Sequence, residues 1–197
     1  MASPVVDAAG EIRAAVKEFE VTDDLGVIID RVRAVAAAVP TDRLKEACAA
    51  FIHMPEVVIP AYERIVSEPP DDAQALVILA NAYWLTGRGP DVVGDLATRA
   101  IAADAGNRGA WHLWALAESD PRARTERWEQ VTQKFPRDQV ARAALADNAA
   151  SLAGAEHDPL ALDKAIRTYE GLLTESSDPT QRAAIETALK TLRAWKL

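Results

Sequence analysis

Cysteine occurs once in this chain of 197 residues, at Cys48. A lone thiol forms no internal disulfide and leaves no thiol cluster for a metal, which fits a reducing compartment. Histidine is nearly as scarce. His53, His112 and His157 lie in separate segments with no second ligand at metal-binding spacing, and neither H-E-x-x-H nor C-x-x-C occurs. Long apolar runs are also missing. Nothing approaches the ~20 apolar residues that span a bilayer, so no membrane span is expected. Met1–Glu20 is interrupted by Asp7, Glu11, Glu18 and Glu20 and does not read as a secretory signal, which makes the cytoplasm the expected location.

Positive charge is in deficit, with 22 Lys and Arg against 30 Asp and Glu and a formal net charge of -8. An acidic chain without a face-sized basic block repels phosphate backbones, so nucleic acid is not an expected partner. The most basic stretch holds Arg122, Arg124, Arg127, Lys134, Arg137 and Arg142, interleaved with Glu126, Glu129 and Asp138. It reads as an ion-paired helix face, with docking of an acidic partner as the alternative.

Catalytic signals are as thin as metal signals. Gly87-Arg88-Gly89-Pro90 lacks the third glycine of a dinucleotide fingerprint and has no strand before it, so it reads as a turn with Pro at a helix start. The abundant carboxylates show no pattern that would split their pKa values for acid–base work. No cofactor or metal is expected, and the chain does not read as an enzyme.

What the chain does have is helical periodicity. Apolar residues recur at three- and four-residue spacing among Ala, Leu, Glu, Arg and Lys, with hardly a strand signal. Thr22-Asp23-Asp24, Thr41-Asp42, Asp71-Asp72, Asp120-Pro121 and Asp178-Pro179 supply capping side chains or Pro at a first turn. The pattern predicts eleven helices: 5–19, 23–38, 41–53, 56–67, 73–86, 90–103, 108–118, 121–134, 138–153, 159–175 and 179–196. Short connections between them fit either a helical bundle or an array of hairpins.

Internal repetition favours the array. Alternate helices end in matched pairs: Val35 with Pro40, Ile65 with Pro70, Ala100 with Ala105, Val131 with Pro136, Leu172 with Ser177. The second members are separated by 30, 35, 31 and 41 residues, a mean of about 34. The longest step contains Gly154-Ala155-Glu156-His157-Asp158-Pro159, read as a lengthened loop. Within the units, Leu76, Leu79, Ala80 and Tyr83 are followed by Val93, Ala97 and Ala100, and Trp111, Trp114 and Ala115 by Trp128, Val131 and Pro136. Weaker copies run Leu44, Ala47, Cys48, Phe51 with Tyr62, and Leu145, Ala146, Ala149 with Tyr169.

This succession of large, small and aromatic residues resembles the tetratricopeptide repeat, over residues 41–177. The resemblance implies an all-α fold: a right-handed α-solenoid of antiparallel helix hairpins with about four to five units. Residues 1–197 would form a single domain, with 5–40 a degenerate first pair, 41–177 the repeats and 178–197 a capping helix over the last apolar face. Small residues such as Ala80 and Ala115 would sit where hairpin helices cross closely, and Cys48 in such a slot reads as a buried, inert thiol.

The resemblance also implies a function, that of an adaptor or scaffold binding a partner protein or peptide in a concave groove lined by the first helix of each hairpin. Candidate groove residues are Lys45, His53, Asn81, Trp84, His112, Leu116 and Asp147, with Ile52, Val77, Ile78, Leu85, Gly109 and Leu113 in the same series. Trp84 has two readings, an exposed anchor or a core side chain. Lys45 and Asn81 match positions of the family's clamp for C-terminal carboxylates, but Ala49, His112 and Leu116 replace its other donors, which argues against that ligand. The alternative function is a structural subunit that forms a homo- or hetero-oligomer through apolar helix faces, for which Leu189, Leu192 and Trp195 towards the C-terminal end are the candidate surface, and an enzyme on a helical scaffold is the third reading.

Overall fold

The computed structural model describes residues 7–196, so the first residues of the expected helix 5–19, and positions 1–6 of the segment tested as a secretory signal, lie outside the described residues. Among the described residues there are eleven α-helices and no strand. They group into two compact units, one up to Leu113 and one from Trp114.

In the first unit, α1 (Ala8–Thr22), α2 (Leu25–Ala38), α3 (Thr41–Cys48), α4 (Pro55–Ile65), α5 (Ala73–Leu85) and α6 (Pro90–Ala103) pack as successive neighbours. Besides these pairs, α1 meets α3 and α2 meets α4, the first-on-first and second-on-second contacts of stacked hairpins. Ile12, Ile28, Val32, Leu44, Val57, Leu76 and Val93 are completely buried, one or more from each helix, so the core runs along the stack. Ala80 and Ala97 are likewise sealed, as their small-residue slots require.

α7 (Arg108–Leu116) follows, and the second unit continues through α8 (Pro121–Lys134), α9 (Gln139–Glu156), α10 (Pro159–Glu175) and α11 (Pro179–Arg193). α9 packs on α8 and α10, and α10 on α11. Ile185 and Leu189 of α11 close over Leu172, and Leu192 over Ala149 and Ala165, so the last helix buries the apolar face of its neighbours. This packing withdraws Leu189 and Leu192 from the surface on which the oligomer alternative relied, leaving Trp195 partly exposed.

Caps explain most boundaries. Asp72, Asp120 and Asp178 accept hydrogen bonds from the backbone N–H groups of α5, α8 and α11. Asp7, Asp24, Asp138 and Asp158 do the same for α1, α2, α9 and α10. Three expectations need correction. Pro40, with no side-chain cap, precedes α3, so Thr41 and Asp42 lie inside the helix. α3 stops at Cys48 and tightens into a 3-10 turn over Ala49–Phe51. Gly154, Ala155 and Glu156 belong to α9 rather than to a long loop, and His157 ends the helix in the left-handed conformation. The Gly87–Pro90 turn forms as expected, with φ of 72° at Gly87 and 95° at Gly89, values that suit glycine.

Candidate functional site: an apolar cleft between α3, α4 and α5

Because α3 gives way to a 3-10 turn, the chain leaves it at Ile52 and His53 and re-enters a helix at Pro55, whose fixed φ suits a first turn. α5 is apolar on nearly every side. Its core face is buried, while Ile78, Asn81 and Leu85, spaced three and four apart, form one outward stripe. Stripe and turn together enclose a cleft of about 140 Å3 lined by Ile52, His53, Pro55, Ile78, Asn81, Ala82 and Leu85. Ile52 is 46% exposed and Leu85 74%, large values for aliphatic side chains. Trp84, next in sequence to Leu85, is 40% exposed, so it is not a core residue. The Asn81 amide donates to Val77 O at 3.0 Å, which leaves its carbonyl oxygen available as an acceptor.

The candidate residues therefore divide. His53 and Asn81 share the cleft. Lys45 does not stand free: its ammonium lies 2.7 Å from Asp72, the cap of α5. Burial pushes the Asp72 carboxyl up, but Lys45 and the Ala75 N–H outweigh it and hold the group below its usual range. His112 is half-buried and Leu116 36% exposed. Asp147 is exposed and accepts a hydrogen bond from the Tyr169 hydroxyl. Of the wider series, Val77 and Leu113 are buried, and a Cβ on Gly109 would come within 3.2 Å of Val77 Cγ1, so these positions serve packing rather than an open groove.

Arg122, Arg124 and Arg127 of α8, and Arg142 of α9, are spent internally. Arg122 pairs with Glu156 and Asp158, and Arg124 donates to Asn148 Oδ1 at 2.7 Å and to Glu118 O at 3.1 Å. Arg127 pairs with Glu118 at 2.6 Å. Arg142 of α9 makes a two-pronged pair with Glu175. Arg122, Arg127 and Arg142, three of the six basic residues, are thus ion-paired with carboxylates other than the interleaved Glu126, Glu129 and Asp138.

Cys48 is wholly buried, and burial pushes its thiol up to about 12. Among the described residues, no group of three or more His, Cys, Asp or Glu is placed to hold a metal ion. No described helix is long and apolar enough to cross a membrane.

No family model matches the chain, and no curated protein does. Solved structures do. A crystal structure of MamA protein superposes with a TM-score of 0.58 at 16% identity, covering 87% of this chain and 97% of the other. A second crystal structure of MamA gives 0.53 at 16% identity, covering 94% and 92%. At that identity the likeness concerns the fold, an all-helical array of repeated hairpins.

Proposed function

We propose that the chain is a tetratricopeptide-type scaffold, a single cytoplasmic domain without catalytic activity, that binds a partner protein or peptide along the outward faces of its first helices. The observation that carries this reading is the open cleft between Ile52, His53, Ile78, Asn81 and Leu85, together with the exposed side chain of Trp84, which precedes Leu85 in α5. A folded chain that leaves Ile52, Trp84 and Leu85 in water loses stabilisation a partner would restore, and aromatic and aliphatic anchors of this kind dominate binding energy at interfaces. His53 and the Asn81 carbonyl supply the few polar groups that orient a segment in an apolar groove. His112, Leu116 and Asp147 are proposed as further contacts. Lys45 would contribute only by releasing Asp72.

Affinity capture with the wild-type chain beside an Ile52→Ser/Trp84→Ala/Leu85→Ser variant tests the reading. A protein retained by the wild type and lost from the variant supports it, whereas equal recovery on both sinks the cleft as the binding surface. Calorimetry addresses the single-domain proposal: one cooperative transition is expected, and two separable ones would overturn it.

A further inference from the structure

Pro55 lines two clefts at once. One is the cleft just described. The other, of about 160 Å3, opens where α2, α4 and the α5–α6 turn meet, and Leu25, Ile29 and Ile59 form its apolar walls together with Pro55. Leu25, the first residue of α2, is 50% exposed there. Apolar voids of roughly 150 Å3 take a group the size of benzene, so each cleft has room for one apolar side chain.

Charge separates the second cleft from the rest of the molecule. The chain carries a net -8, yet Arg33 and Arg88 line this cleft against a single carboxylate, Glu56. Arg33 is exposed and makes no hydrogen bond or ion pair among the described residues. Arg88 lies 5.0 Å over the Tyr83 ring and 3.9 Å from Glu63, a long contact that leaves its remaining donors open. A guanidinium without a partner at the lip of an apolar pocket is a ready donor pair for a carboxylate.

We infer that the two clefts hold successive apolar side chains of one extended peptide segment whose carboxylate is bound by Arg33 and Arg88. The partner segment is thus apolar and acidic. This rests on the scaffold reading above and adds to it the chemistry of the partner and the path it follows across Pro55.

The test is selection from a displayed library of random peptides on the full chain, followed by affinity measurement with a purified winner. Peptides pairing apolar residues with Asp or Glu are expected to dominate. Arg33→Glu should weaken the winner at least several-fold and Glu56→Gln should strengthen it. Arg33 has no internal partner to lose, so its variant is expected to keep the parental circular dichroism and melting; Arg33→Gln serves as a milder second variant. Recovered peptides without acidic residues, or equal binding by the Arg33 variants, overturn the inference and leave the scaffold reading standing. Recovery no better than that of the Ile52→Ser/Leu85→Ser variant overturns the scaffold reading, and the inference with it.

Discussion

The Arg127 guanidinium lies 4.5 Å from the centroid of the Trp114 ring and donates a 2.8 Å hydrogen bond to the carbonyl oxygen of the same residue. It also pairs with Glu118 at 2.6 Å, with both side chains largely screened from water. A planar fork can stack and donate in two directions together, which an ammonium cannot. Arg127→Met is expected to lower stability by about 1 to 3 kcal/mol in urea unfolding, since a charge-assisted hydrogen bond is lost and Glu118 is left half-desolvated. Arg127→Lys should recover only part. Full recovery by lysine would mean that charge alone matters here.

Ala80 and Ala115 are completely buried. Phenylalanine at either position forces its helix away from its neighbours and should cost about 1 to 3 kcal/mol, read as a lower urea midpoint. An unchanged midpoint would show that these slots have slack the packing does not suggest.

Cys48 will resist modification. With its thiol pushed up to about 12, hardly any thiolate exists at neutral pH, and the side chain is sealed from reagent. A colorimetric thiol reagent should react with the native chain only at the rate of opening, and at once in denaturant. Prompt reaction under native conditions would contradict the packing of α3.

Acid should destabilise the fold. Arg99 holds the Asp71 carboxyl below its usual range, Arg142 does the same for Glu175, and the Ala161 N–H followed by Arg122 does so for Asp158. These depressed groups bind fewer protons in the native state, so their contribution is complete above the unfolded values of about 4 and is lost as pH falls through the lower native ones. The urea midpoint should fall as pH drops below ~5, and Arg99→Met should make that decline shallower. A midpoint that does not move with pH would rule out these pairs as contributors.

Local chemistry was legible in the sequence. Each Asp that precedes a helix acts within three residues of itself, so Asp72, Asp120 and Asp178 could be assigned as caps without knowing what packs where. The burial of Ala80, Ala97, Ala115 and Cys48 was implied by the resemblance of their spacing to the tetratricopeptide pattern, in which helices of a hairpin cross closely at small residues.

Other features depended on residues far apart in the chain. Gly154 reads as a loop glycine, yet it continues α9, and a Cβ there would come within 3.2 Å of the Trp195 ring, a contact set by the docking of α11. Lys45 reads as a groove cation until its partner Asp72 is seen 27 residues on, at the start of another helix. The cleft walled by Leu25, Ile59 and Arg88 has no sequence signal, because three separate elements build it and each residue is unremarkable on its own helix. Short-range forces wrote the helices and their slots into the sequence. Which side chains remain in water, and which charges find partners, was decided only when helices distant in the chain came to rest against one another.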